Sequence, residues 1–145
     1  MILRPATPDD APAMARILWD CFEISLPFLP QLHTRDEHVR YMLEVLLPNY
    51  RVWVSEADGA VAGYIAFNAG HIQHLFIHPD AQGQGIGPSL LAKALEDGRP
   101  KELWTFQQNT RARRFYERRG FRPVEFTDGE GNEEKTPDVR YLWEP

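Results

Sequence analysis

The sequence predicts one α/β (α+β) domain over residues 1–145, a mixed and mostly antiparallel sheet of about six to seven strands with about four helices. Three observations lead there. Apolar runs of strand length alternate with segments of helical periodicity, and neither a repeat nor a linker interrupts them. A strong hairpin signal, Asp58-Gly59, sits between two β-rich runs. A glycine-rich loop, "DAQGQGIG", joins an apolar run to a new helix. A chain of 145 residues buries roughly 70% of the surface its unfolded form exposes, enough for a core of its own.

"ILRPAT" reads as a short edge strand. In "TPDDAPAMARILWDCF", Thr7 is the expected N-cap, Pro8 opens the helix and two acids fill the first turn. Ala11, Met14, Ile17, Leu18 and Cys21 recur at helical spacing, so Cys21 is expected to be a buried apolar residue. "ISLPFLPQLH" has two prolines among bulky apolar groups and cannot be a regular helix; it is expected to cover a pocket. "TRDE" is a capping box, Thr34 with Glu37, for a second helix running to about Leu47. The Asp58-Gly59 hairpin follows, then a third strand in "HIQHLFIHP". "PSLLAKALEDG" is a helix with Pro88 at its start and Gly98 at its end. "ELWTF" is a strand, "NTRARRFYERRG" a helix stopped by Gly120, and "FRPVEF" and "DVRYLWE" are closing strands. The polar stretch between them reads as a solvated hairpin tip.

Composition excludes several classes. A net charge of −5 argues against broad binding to nucleic acid or an anionic membrane, and it suits a cationic substrate. No run approaches the ~18 apolar residues of a membrane span. One cysteine excludes an internal disulfide, and the opening "MILRPATPDD" lacks a signal-peptide layout, so a cytoplasmic protein is expected. His71, His74 and His78 raise a metal site, but strand geometry does not make them converge and no Cys or carboxylate completes a set, so none is expected. The run Arg111, Arg113, Arg114, Arg118 and Arg119 is read as a solvated helix face.

Gly83, Gly85 and Gly87 allow a sharp turn and a close approach to the backbone amides. If a helix starts at Pro88, free N–H groups and the positive end of its dipole meet at one spot suited to a phosphate or pyrophosphate. The Walker loop fails for want of Gly-Lys-Ser/Thr, and the dinucleotide fingerprint fails at its third glycine. What fits is Gln/Arg-x-x-Gly-x-Gly, through Gln82, Gly85 and Gly87. Beyond it, "NTRARRFYERRGF" matches N-x-x-A-x-x-F-Y-x-x-x-G-F through Asn109, Ala112, Phe115, Tyr116, Gly120 and Phe121. In these two segments, in this order, the chain resembles the GCN5-related N-acetyltransferase (GNAT) family.

The resemblance implies acetyl-coenzyme A (acetyl-CoA) as cosubstrate. Gln82, Gly83, Gln84, Gly85, Ile86, Gly87 and Ser89 would lie at its pyrophosphate. Phe76 and Ile77 would bond the pantetheine arm as a neighbouring strand does, and Asn109, Ala112, Phe115 and Tyr116 would complete the cofactor side. The main-chain amide of Leu75 would polarise the thioester carbonyl, a contribution of ~3 kcal/mol, and Tyr116 would be the acid toward the departing thiolate.

Transfer to an amine also needs a neutral nucleophile, and an alkylammonium of pKa ~10.4 is neutral in only about one molecule in 2,500 at pH 7. His71, Gln73 and His74 lie near enough in sequence to help. The family often keeps a base four residues before the position of Leu75, which here is His71. Alternation puts His71, Gln73 and Leu75 on one face, so His74 ranks lower, and Gln73 can orient a water without taking its proton. The acceptor is left open between a small-molecule and a peptide amine, and homodimers are common in the family. Two other classes compete: a non-catalytic acyl-CoA-binding sensor, and a nucleic-acid-binding domain built on the arginine helix, which the acidic balance disfavours.

Overall fold

The structure, a computed structural model, describes all residues 1–145. Its contacts gather into two compact units: Met1–Asn68 with Ile72–Glu96, and Ala69–His71 with Asp97–Pro145. Seven strands form two antiparallel sheets, of four and three strands, and four helices accompany them, in line with the expected element count. No helix is long and apolar enough to cross a membrane.

In the first unit β1 (Ile2–Pro5), β2 (Arg51–Ala57), β3 (Ala60–Phe67) and β4 (Ile72–Ile77) pair in that order. Asp58 and Gly59 both take positive φ, 53° and 77°, and close the hairpin as expected. The first helix starts later than the cap at Thr7 implies. Thr7 opens a 3-10 turn, Pro8–Asp10, and α1 (Ala11–Asp20) follows before widening into a π-turn at Cys21–Ser25. The cause is Asp10, whose carboxylate accepts from Thr7 N–H at 2.8 Å and from both terminal nitrogens of Arg4 at 2.8 and 2.9 Å. The Arg4 guanidinium holds the Asp10 carboxyl below its ordinary range, so the buried side chain stays charged and paired.

The capping box at α2 (Arg35–Tyr41) is present in full: Glu37 N–H donates to Thr34 Oγ1 at 3.1 Å and Thr34 N–H to Glu37 Oε1 at 2.9 Å. A π-turn, Met42–Leu46, and a last turn, Leu47–Asn49, extend that helix a little past the expected end. Met14, Ile17, Leu18 and Cys21 of the first helical segment pack with Met42, Leu46, Val54 and Tyr64 in one buried cluster, so the periodic positions face inward as read.

α3 spans Ile86–Leu95, two residues earlier than Pro88 suggested. Gly85, at φ +82°, serves as N-cap, and Pro88 falls at the third helical position, where its missing N–H costs nothing. Ile86 is buried, and Gly63 on β3 makes room for it. A Cβ at Gly63 would lie 2.7 Å from Ile77 Cδ1 and 3.1 Å from Ile86 Cγ2.

The second unit contains β5 (Lys101–Phe106), α4 (Thr110–Glu117), β6 (Arg122–Phe126) and β7 (Asp138–Trp143), with strand order β5-β7-β6. Gly120, at φ +90°, ends the helical segment, and Phe121 N–H returns to the Tyr116 carbonyl at 3.1 Å. The segment between β6 and β7 is the hairpin tip expected, with Asp128, Glu130, Gly131, Glu133 and Lys135 exposed, and it is braced from within. Asn132 Nδ2 donates to the Thr136 carbonyl and to Asp138, and Asn132 Oδ1 accepts from Thr136 N–H. Gln107 Nε2 bonds the carbonyls of Thr127 and Asp138, and a Cβ at Gly129 would collide with Thr136 backbone at 2.3 Å.

Gly63→Ala is expected to overpack the junction of β3, β4 and α3 and to cost about 1–3 kcal/mol. Urea unfolding would show a lower midpoint at unchanged slope, and faster amide exchange at His78, whose N–H bonds the Ala62 carbonyl beside Gly63, would localise the damage.

Candidate active site

In the first unit the main chain of β4 comes first. His78 N–H donates to the Ala62 carbonyl on β3 at 2.8 Å. Main-chain groups of an antiparallel strand alternate sides, so Phe76 and His74 also turn theirs toward β3, while Leu75 and Ile77 turn theirs away. The Ile77 carbonyl confirms the phase, since it is taken from outside the sheet by Cys21 Sγ at 3.2 Å and Gln82 Nε2 at 3.3 Å. β4 is an edge strand of its sheet, so the N–H groups of Leu75 and Ile77 face off that edge. Of the two residues expected to pair with the pantetheine arm, Phe76 turns its main chain into the sheet and Ile77 turns its outward.

β4 leads through a 3-10 turn, Pro79–Ala81, to the glycine loop. Gly83 and Gly85 have φ of +81° and +82°, and a Cβ at either would meet nothing within 4 Å. Glycine is needed there for conformation, and the space above the loop is open. At the entrance to α3, Gly85, Ile86 and Gly87 carry the N–H groups that no carbonyl of the helix can reach, Pro88 having none to offer. Ser89 Oγ donates to the Gly85 carbonyl at 2.9 Å and keeps lone pairs for an incoming donor. Gln84 is exposed, and Gln82 folds back onto β4.

His74 lies among aromatic rings. Tyr41 stacks on it at 5.7 Å, Phe76 meets it edge-on at 5.2 Å, and the Tyr64 hydroxyl lies 3.0 Å from Nδ1. Burial raises the Tyr64 phenol well above its ordinary range and pushes the His74 imidazole down to about 4. Tyr64 is thus the donor, and His74 is a neutral ring with its proton on Nε2. Such a group is a poor base at neutral pH. Gln73, exposed, hydrogen-bonds the Tyr41 hydroxyl.

In the second unit His71 lies on the short segment Ala69–His71, held alongside β5. Glu102 N–H donates to the Gly70 carbonyl at 3.0 Å, His71 forms a parallel bridge with Glu102, and His71 Nδ1 is 3.8 Å from Glu102 Oε1. The other Glu102 oxygen accepts from Arg140 at 3.2 Å, and Arg140 also pairs with Glu125 at 3.0 Å. Below them Lys101, fully buried, donates to Asp97 at 2.7 Å, to the Ala69 carbonyl at 3.0 Å and to the Arg99 carbonyl at 3.3 Å. The sequence reading missed this clamp; the one signal for it is an Asp-Lys pair four residues apart.

α4 carries the remaining candidates. Asn109 Oδ1 caps the helix by accepting from Ala112 N–H at 3.2 Å, which leaves its amide NH2 for other partners. Ala112 and Phe115 are half-buried, and the Arg119 guanidinium lies 4.0 Å over the Phe115 ring. Tyr116 is buried against Phe115, Phe121 and Tyr141, and that burial pushes its phenol upward, so it stays protonated. Arg113 is not free for an external anion, since it binds the Tyr141 hydroxyl at 3.0 Å and that hydroxyl donates to Glu117.

Comparison with known proteins places the chain in a family. The acetyltransferase (GNAT) domain model matches residues 27–141. An uncharacterised N-acetyltransferase of Archaeoglobus fulgidus is 31% identical, with 92% of this chain and all of that protein covered. The peptidyl-lysine N-acetyltransferase YiaC of Escherichia coli is 26% identical over 86% of this chain and 85% of its own. The acetyltransferase yncA of Salmonella typhimurium, solved with its cofactor acetyl-CoA, shares the fold at a TM-score of 0.73 and 21% identity, covering 98% of this chain and 91% of that one. The chain belongs to the GNAT acetyltransferase family.

The buried histidine sets a pH signature. An unfolded histidine titrates near 6.5 and folded His74 near 4, so between those values the unfolded state binds more protons. Stability is expected to be full above pH 6.5 and to fall as the pH drops toward 4. An NMR titration of the His74 Cε1 proton checks the midpoint, and His74→Phe removes its share of the slope.

Proposed function

We propose that this chain is an N-acetyltransferase that moves the acetyl group of acetyl-CoA to a primary amine by direct attack, the two units serving one catalytic domain. The observation that carries the reading is the row of unpaired main-chain donors. It runs from the Leu75 and Ile77 N–H groups at the edge of β4 to the Gly85, Ile86 and Gly87 N–H groups at the helix entrance. The first pair suits a linear amide-bearing arm and the second a diphosphate. Bound acetyl-CoA supplies the thioester from which the acetyl group leaves.

The residues divide the work. Leu75 N–H stabilises the oxyanion that develops when the amine nitrogen attacks the carbonyl carbon. His71 takes the ammonium proton, directly or through a water that Gln73 helps to orient. Tyr116 donates a hydrogen bond to the sulfur as the C–S bond breaks, and its raised phenol makes full proton transfer uphill. A peptide lysine is the acceptor class suggested by YiaC, and the net charge of −5 suits such a cation. The acyl-CoA sensor remains the second reading, favoured by the burial and aromatic enclosure of the acid candidate Tyr116.

Incubation of the purified protein with acetyl-CoA and a panel of lysine peptides and small amines, read as free thiol released, tests the proposal. Binding without turnover of any amine would leave the sensor reading standing in its place. His71→Ala is expected to lower kcat/KM about 100-fold near pH 7. The deficit should shrink as the pH approaches the amine pKa of ~10.4, where the acceptor is neutral without help; a deficit independent of pH removes His71 from the mechanism. Tyr116→Phe is expected to lower kcat about tenfold, the effect of one hydrogen bond to a developing anion, with acetyl-CoA affinity retained.

A further inference from the structure

A histidine that the proposed reaction does not use ties the approach to the glycine loop onto α1. His78 directly follows β4, and its half-buried ring is held from both sides. Asp80 N–H donates to Nδ1 at 3.1 Å, so Nδ1 presents its lone pair and Nε2 carries the proton. Nε2 donates in turn to Asp20 Oδ2, at the end of α1, at 2.8 Å. The next residue, Cys21, donates its thiol to the Ile77 carbonyl; burial pushes that thiol up to about 12, so it keeps the proton it donates.

The two ends of the loop are fixed by different means. Its C-terminal end is the first turn of α3, held by the buried Ile86. Its N-terminal end is a single 3-10 turn, Pro79–Ala81, braced by the side chains of His78 and Gln82. Between them lie Gly83 and Gly85, the residues freest to wander. A loop released at one end spends only part of its time with its amides convergent, and affinity falls with that fraction.

We infer that His78 and Asp20 are positioning residues that preset the phosphate-binding shape of Gln82–Gly87, a role that rests on reading the loop as the coenzyme A site. The latch joins that loop to α1 and so to the π-turn at Cys21–Ser25.

Substitutions separate the latch from simple stability. His78→Asn keeps an acceptor for Asp80 N–H but is too short to reach Asp20. Asp20→Ala removes the acceptor for Nε2–H, and Asp20→Asn restores one. Thr34→Ala damages the α2 cap, a feature outside the latch. Coenzyme A is titrated calorimetrically into the wild type, these variants and the His78→Asn/Asp20→Ala double variant. Each of His78→Asn and Asp20→Ala is expected to raise Kd about tenfold, the value of one charge-assisted hydrogen bond. The double variant should be no weaker than either single one, Asp20→Asn should stay within about threefold of wild type, and Thr34→Ala should lower the melting temperature without moving Kd. Amide exchange of Asp80 and Ala81, whose N–H groups bond His78, should quicken without coenzyme A in Asp20→Ala and not in Asp20→Asn. Unchanged Kd in Asp20→Ala, additive single effects, or equal weakness of Asp20→Asn and Asp20→Ala overturns the latch. Failure of the wild type to bind coenzyme A removes the loop reading itself, and the latch with it.

Discussion

One hydrogen bond, from His78 N–H to the Ala62 carbonyl, fixes the phase of β4 and with it the direction of each main-chain donor that the proposed chemistry uses. A slip of one residue would turn the Leu75 amide into the sheet and send that of Phe76 out. Several unrelated features defend this phase. Gly63 admits Ile77 and Ile86 where any side chain would push them apart, and Cys21 and Gln82 both take the Ile77 carbonyl from outside. A bulge between Ala66 and Phe67 absorbs a register change at the far end of the strand, so it does not reach Leu75.

Local signals read well from the sequence because their physics is local. The Thr34–Glu37 box, the Asp58-Gly59 turn and the stop at Gly120 each need partners within five residues, and each forms. The helix start at Pro88 was misplaced because proline is tolerated anywhere in the first turn, whereas the positive φ of Gly85 is what ends the loop. Features that depend on distant partners left no trace. Lys101 with Ala69, His78 with Asp20 and Gln107 with Thr127 span 20 residues or more. The stretch from Thr127 to Asp138 reads as a solvated tip because its composition is polar, and within it polar groups also satisfy one another around Asn132.

Lys101 shows why such a feature is kept. A buried ammonium costs several kcal/mol unless it is paired, and here each of its three protons has an acceptor: Asp97, Ala69 and Arg99. An apolar residue would avoid the desolvation but would lose the bonds to Asp97 and to the Ala69 and Arg99 carbonyls. The side chain thereby sets the path of Ala69–His71 along β5, and the His71 ring meets Glu102 as a result. On the face of β5 and β7, Glu102 is shared with Arg140, so its carboxylate is oriented from two sides.

Burial moves His74 down and Tyr116 up, and both shifts leave the group uncharged at neutral pH. For the proposed transfer this has a consequence for charge. An imidazolium at position 74, one residue from the Leu75 amide, would repel an approaching ammonium and would compete for its lone pair once it was neutral. A phenolate at position 116 would repel the departing thiolate. With both groups held neutral, the only charges that change are those of the reaction itself, the ammonium that loses a proton and the sulfur that gains electron density. Of the histidines proposed near the reaction, His71 alone lies outside the aromatic set, partly exposed and beside the Glu102 carboxylate, which is the character the proposed proton transfer would need.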